Sequence, residues 1–468
     1  MCYWWNDADI RMKSVLLILL VDGVLLSFAG LFAHDGRHAP ALSILAATAL
    51  LMVWQLVLFV CLPDPARHLS VERVVTKPHV IQAVLQTCLF VYWGLYWNDV
   101  RDYAPLIVVQ LSFAYGFDML WSWSRYRVWR AGWGPIPIVL SLNLFLWMKE
   151  DFFFLQFVLI MLTWLGKELV RWKRGQHTTH IVNPSAFSLA LMSVLMLSTD
   201  TLGVTRGADL VTSFLLPPNF YEVVFLLGVV GQLLFLTTLV TLGAAVSQYL
   251  LYLAATALVG IALTPHPIDE AVFLGLTLLV TDPATSPKTN MGKLLFGVTY
   301  GCGVFFLFVL LRLSQQPAFV DKILMVPVVN LLVPTFDKLG NSFHKWYEQY
   351  RRGRSWRHDR FVWTGLYAAF FISILPALKT LETRPAVLPE PVLQHSPDTS
   401  RLIALNAFCR RMLPQPFEPF GFHGEVLQFH AIKRIYEQDP QDILQELGPP
   451  PAGDKNFLQP AHDSAAEE

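Results

Sequence analysis

Residues 14–33 read SVLLILLVDGVLLSFAGLFA, and residues 40–62 follow closely as PALSILAATALLMVWQLVLFVCL. A bilayer core of about 30 Å takes about 20 apolar residues per helix, and each run is that long. Lipid offers no partners to backbone N–H and C=O groups, so runs of this kind form helices. No small-residue cleavage site closes the first run, which predicts a retained helix rather than a leader. The same pattern recurs downstream. It predicts an all-α, polytopic transmembrane bundle of 11–13 spans, with further segments near 79–98, 104–122, 134–148, 151–166, 184–199, 221–241, 244–264, 270–282, 293–312, 319–335 and 361–378.

Composition agrees. Of the residues, 54% are hydrophobic and only 15% charged, which excludes an ordinary water-facing globule. Net charge is zero, so no basic bias points to nucleic acid. The five cysteines, Cys2, Cys61, Cys88, Cys302 and Cys409, show no C-x-x-C or tight Cys/His spacing, and no metal site is expected.

Lysine and arginine in short loops accumulate on the cytoplasmic side. Alternate loops sort into a set with 21 such residues, among them Arg73, Arg125, Lys173, Lys288 and Lys338, and a set with only Arg37, Arg101, Lys149, Arg206, Arg312 and Lys322. This places the N-terminus in the cytoplasm and the tail after Lys379 outside it, in what is expected to be a bacterial inner membrane. The organisation expected is N-terminal transmembrane helices over 1–78, a core over 79–340, a basic cytoplasmic loop over 341–360, a final span over 361–378 and an extracytoplasmic tail over 379–468. The tail opens on RPAVLPEPVLQ, then carries a helical unit over 399–446 and a disordered end. Arg401, Arg410, Arg411, Phe420, His423 and His430 form either a surface for an extracytoplasmic partner or a solvated anchor.

Two spans are too short for ordinary crossings, and each abuts a polar proline-bearing segment. His180-Ile-Val-Asn183-Pro184-Ser185-Ala186-Phe187 precedes one, and Thr281-Asp282-Pro283-Ala284-Thr285-Ser286-Pro287-Lys288-Thr289-Asn290 follows the other. Paired interruptions point to a binding site between helices. Asn183 is a good N-cap and Pro184 a good first helical residue, so the positive end of that helix is expected to face a ligand. The other reading is that both segments are capped breaks packed inside the bundle. Asp22, Asp118 and Glu222 lie within apolar runs and should pair or sit near an interface. Trp93, Trp97, Trp121 and Trp123 lie near span ends, where an aromatic belt is expected.

The NPSAF stretch at 183–187, LLVTDPATSPKTNMGKLLFG at 278–297 and VPVVNLLVPTFD at 326–337 together resemble the NqrB/RnfD family, the membrane flavoproteins of the sodium-pumping NADH:quinone reductase and of the Rnf complex. The resemblance covers roughly residues 80–340 and is nearest the stand-alone branch found beside enediyne biosynthesis genes. It implies a bundle that holds FMN or riboflavin and moves electrons within or across the bilayer, with or without coupled ion movement. Redox partner proteins or quinone would exchange those electrons. In the family one FMN is joined through its phosphate to a threonine closing a Ser-Gly-Ala-Thr-like motif. Here the corresponding loop is TDTLGVTRGADLVTSFLLPPN, where Thr205 and Thr212 lack that lead; Thr212 is the candidate attachment residue. The candidate cofactor-binding residues are therefore His180, Asn183, Pro184, Ser185, Thr281, Asp282, Thr285, Ser286, Lys288 and Thr289, with Thr212 apart. A channel or secondary transporter on the same bundle is the alternative.

Overall fold

A computed structural model describes residues 3–61, 69–174, 177–259, 263–350 and 359–381. The tail from residue 382, with its expected helix and the six residues named above, lies outside the described residues, as does 351–358 of the basic loop. The bundle comprises α1 (Tyr3–His34), α2 (His38–Cys61), α3 (Lys77–Gly94), α4 (Asn98–Arg125), α5 (Pro135–Phe145), α6 (Phe154–Leu169), α7 (Pro184–Ser198), α8 (Gly207–Ser213), α9 (Phe220–Phe235), α10 (Thr238–Val259), α11 (Glu270–Leu279), α12 (Asn290–Leu313), α13 (Asp321–Leu331), α14 (Val333–Tyr350) and α15 (Asp359–Leu381). Two small pairs of strands decorate it: β1 (Ser70–Arg73) runs parallel to β2 (Val128–Ala131), and β3 (Arg171–Arg174) runs antiparallel to β4 (His177–His180).

Among the described residues six helices are long and apolar enough to cross a membrane: α1, α2, α4, α10, α12 and α15. The pair α13–α14, bent by 57° at Leu332, makes a seventh. The shorter apolar helices α5, α7, α9 and α11 fall at four of the other expected spans. Large apolar side chains such as Leu42, Val53, Leu56 and Val60 of α2 and Phe306, Leu310 and Leu313 of α12 are exposed. Such an apolar exterior is the surface of an integral membrane protein, whose solvent there is lipid.

Contacts between loops define two ends. Arg37 pairs with Glu150, Arg206 with Asp99, Met148 bridges Thr205, and the Tyr221 hydroxyl donates to Ile268 O at 2.8 Å. At the other end β1 joins β2, the Tyr126 hydroxyl donates to Glu168 at 2.7 Å, His180 faces Asp282, and Lys293 Nζ donates to Leu236 O at 2.7 Å. The loops so grouped are the two sets that charge alternation separates, so the short helices also carry the chain from one end to the other. We call the second the basic end.

Inside, polar groups pair as the cost of burial demands. Asp22 accepts from Gln55 at 2.8 Å, and Asp118 accepts from the indoles of Trp129 and Trp164 at 2.8 and 2.7 Å. Gln110 and Asn143 exchange amide hydrogen bonds at 3.3 and 2.7 Å. The aromatic belt is a correction: Trp93, Trp97 and Trp123 are buried in protein. Trp97 stacks on Trp147 at 5.2 Å, Trp147 on Tyr103 at 4.2 Å, and the Arg206 guanidinium lies over Trp97. The long loop at 199–219 folds over these rings and takes the place of headgroups.

The link between α9 and α10 also differs from expectation. It falls at Leu236-Thr237 rather than 242–243, although no glycine or proline marks it. Leu236 adopts φ 58°, the left-handed C-cap conformation, and Lys293 of α12 supplies the donor for its carbonyl. The last helix packs here too, with Phe371 stacked on Phe225 at 4.1 Å and the Thr364 hydroxyl 3.3 Å from that of Thr238.

Candidate functional site

The three proline-bearing segments meet at the basic end. The Asn183 side-chain oxygen accepts from the N–H groups of Ser185 at 3.1 Å and Ala186 at 3.3 Å, and Pro184 holds the first helical position. Asn183 Nδ2 donates to Leu279 O at 3.0 Å, tying the start of α7 to the end of α11. The Asn183 backbone N–H donates to Asn330 Oδ1 at 3.0 Å, and Asn330 Nδ2 donates to Thr285 O at 3.3 Å. Asn330 is fully buried beside the α13–α14 bend. Two amides thus bind three breaks together.

The expectation that the positive end of α7 faces a ligand is overturned by the same geometry. Asn183 uses the Ser185 and Ala186 N–H groups itself, and Phe187 N–H donates to Asn183 O at 2.9 Å. The Asn-Pro motif is a clamp that positions its neighbour, the 280–289 link. Ser185 reinforces it by donating to Ile138 O of α5 at 3.3 Å.

The link is shaped by Asp282. Its carboxylate accepts from Ala284 N–H at 3.2 Å and the Thr285 hydroxyl at 3.0 Å, and His180 Nε2 lies 3.7 Å away. Burial acts to raise this carboxyl, but His180, the Ala284 N–H and the Thr285 hydroxyl together hold it below its ordinary value. Ser286 donates to Asp282 O and Thr281 to Thr277 O, both at 2.7 Å. Asp337 of α14 accepts from the backbone of Lys288 at 2.7 Å and Thr289 at 3.3 Å, and the Thr289 hydroxyl caps α12 by accepting from Gly292 N–H at 3.1 Å.

Against this link lies a cavity of about 440 Å³, lined by Thr179, Phe235, Thr237, Pro283, Ala284, Ser286, Pro287, Lys288 and Lys293. Cavities of about 300–1,000 Å³ are the usual size for small-molecule and cofactor sites. Ser286 and Lys288 of the sequence candidates line it. His180, Asn183, Asp282 and Thr285 hold the wall from behind. Thr179, Phe235, Thr237 and Lys293 were not in the candidate set, because only folding brings the α9–α10 link to the start of α12. Thr237 is 1% exposed, and its hydroxyl has no hydrogen-bond partner among the described residues.

Phe235 also borders a smaller polar hollow between α3, α9 and α11, lined by Gln82, Gln86, Gln232 and Thr281 among others. Gln232 is 1% exposed, and neither atom of its amide has a hydrogen-bond partner among the described residues. Three glutamines within apolar runs were a signal available in the sequence.

No family model, no curated protein and no solved structure matches this chain. The site therefore stands on its own geometry. Thr212 belongs to the opposite end: it is exposed on α8, and its hydroxyl donates to Asp209 O at 3.0 Å and Ala208 O at 3.2 Å. The structure does not bring it to the other candidates, since α7 carries the chain across between them.

The Asp282 carboxylate makes an acid-sensitivity test. A depressed folded pKa contributes stability above the unfolded value, near 3.9, that is lost as pH falls through the folded value. Asp282→Asn should cost about 1–3 kcal/mol at pH 7 through weakened bonds to Ala284, Thr285 and His180. Thermal unfolding in detergent should show the gap between wild type and variant shrinking below about pH 4. A gap independent of pH would show that the charge of Asp282 does not hold the link.

Proposed function

We propose that this protein is a membrane flavoprotein that moves electrons within or across the bilayer, with the flavin in the cavity at the basic end. The observation that supports this is the convergence of the three motifs, through Asn183 and Asn330, behind one wall of a ligand-sized cavity. The lining suits such a ring. Phe235, Pro283 and Pro287 offer apolar faces, Thr179, Thr237 and Ser286 are the polar residues of the wall, and Lys288 and Lys293 bring positive charge.

When bound, flavin supplies reversible electron carriage that the side chains lack. The chain's own part is to hold the ring, exclude water with Phe235 and the prolines, and favour the more negative form of the ligand through the two lysines. With the basic end cytoplasmic, the cavity meets an electron donor on that side, and quinone or a redox partner protein accepts.

A second reading, a secondary transporter, is favoured by one observation: a π turn at Gly275–Leu279 and the 57° bend of α13–α14 lie in a bundle that also holds the unpartnered Gln232 amide.

Purified protein from flavin-replete cells should absorb blue light and release flavin on denaturation. Retention of fluorescence on the denatured chain, abolished by Thr212→Ala, would instead place an attached flavin at the opposite end. Colourless protein would reject the flavin reading in favour of transport.

A further inference from the structure

We propose that the β1–β2 ladder at the basic end is a docking surface for the headgroups of anionic phospholipids. The two segments that it joins, 69–77 and 125–134, carry Arg73, Lys77, Arg125, Arg127 and Arg130 against a single acid, Glu72. All five cations are exposed. Among the described residues, Arg130 is the one of the five with a carboxylate within reach, that of Glu72 at 3.7 Å. Positive charge is left in excess, and phosphodiester headgroups with net negative charge complement it.

Charge alone would suit any polyanion, and the apolar residues of the same two segments choose lipid. Val71, Val74 and Val75 are exposed, as are the rings of Tyr126 and Trp133. The apolar span of α4 runs to Arg125, and β2 begins three residues later, which puts the ladder at headgroup level. There the valines and rings rest against glycerol and acyl chains while the cations extend to phosphate. Tyr126 and Trp133, rather than the buried Trp123, are the interfacial rings of this end.

The ladder is tied to the bundle. Ser70 N–H donates to Arg127 O at 3.0 Å and Val74 N–H to Ala131 O at 2.9 Å, while the Trp129 indole donates to Asp118 at 2.8 Å and the Tyr115 hydroxyl to Gly132 O at 2.9 Å. A Cβ on Gly132 would collide with Val74 O, so glycine lets the two chains close. Cations carried on such a frame lose less freedom on binding than cations on a loose loop, and the surface is pre-organised.

Full-length protein in nanodiscs of dioleoyl phosphatidylcholine, which leave both ends accessible, provides the test. The discs carry a trace of phosphatidylglycerol with a pyrene label on its acyl chain or, separately, of phosphatidylcholine with the same label. Energy transfer from tryptophan to pyrene, displaced by unlabelled lipid, gives an association constant for each.

The expected result is phosphatidylglycerol binding at least about fivefold tighter than phosphatidylcholine, roughly the attraction of one such cation to an anionic lipid surface. Arg73→Gln, Arg127→Gln and Arg130→Gln together should bring the two lipids to parity. Arg101→Gln with Lys149→Gln, at the opposite end, should leave the preference as it was. Because the ratio compares two lipids on one protein, loss of folded material does not mimic these outcomes. If the triple variant yields no protein, strong salt on the wild type takes its place and should screen the preference. Parity in the wild type, a preference that salt does not weaken, or equal loss in both variants overturns the proposal. Polyglutamate binding to the discs without any lipid preference, abolished in the triple variant, assigns the surface to an acidic soluble protein and likewise overturns it.

Discussion

Asn330→Leu should destabilise the protein by about 2–5 kcal/mol and strip the cavity of the flavin proposed for it, because two backbone groups inside the bundle lose their partners at once. The Asn183 N–H loses its acceptor and Thr285 O its donor, beside the fully buried side chain of Asn330. Leucine has the same number and branching of side-chain heavy atoms, so it leaves no void in place of the lost hydrogen bonds. Asn330→Asp retains an acceptor for Asn183 and loses the donor to Thr285, and should fall between wild type and Asn330→Leu. Unfolding midpoints in detergent and flavin absorbance per protein read the two effects separately. A leucine variant with the wild-type midpoint would show that the three breaks are held by other contacts, and the case for a site assembled by the two asparagines would fall.

What the sequence made legible follows from the range of the forces involved. Apolar runs and loop charge are local, and they located the helices and sorted the loops into the two ends that Arg37–Glu150, Arg206–Asp99 and His180–Asp282 now connect. The Asn183 cap and Pro184 at the first helical position are local too, and α7 starts there. What the cap ties together was not legible: the acceptor for the Asn183 N–H is Asn330, far along the chain. The α9–α10 link carries no turn residue, since a lysine of α12 satisfies its carbonyl. The π turn in α11 and the burial of Trp93 and Trp97 likewise depend on packing from elsewhere in the chain. The cavity candidates split by the same rule. Ser286 and Lys288 belong to a motif visible in sequence, whereas Thr237 and Lys293 acquire a role only when α10 and α12 lie side by side.

The approach of those two helices carries the other large effect. Gly243, Gly297 and Gly301 lie where α10 and α12 touch through backbone. A Cβ on Gly297 would fall inside contact distance of Val240 O, one on Gly301 would meet Ala244 O, and one on Gly243 would lie 2.7 Å from Leu294 O. In lipid no hydrophobic force draws helices together, so small residues that let backbones pack closely supply the association, and Gly297 and Gly301 have the four-residue spacing that does so. Gly297→Leu should therefore cost more than about 3 kcal/mol, beyond the usual cost of overpacking, because the clash is with backbone that has no rotamer to yield. Little monodisperse protein should survive size exclusion. Gly297→Ala should retain fold but part the helices enough to shift Lys293 from Leu236 O, opening the cavity and weakening the ligand. Gly365→Leu on α15, where a Cβ would meet nothing within 4 Å, is the control and should behave as wild type. If Gly297→Leu is as stable as that control, α10 and α12 are not held by close backbone packing, and the cavity between their ends has lost its frame.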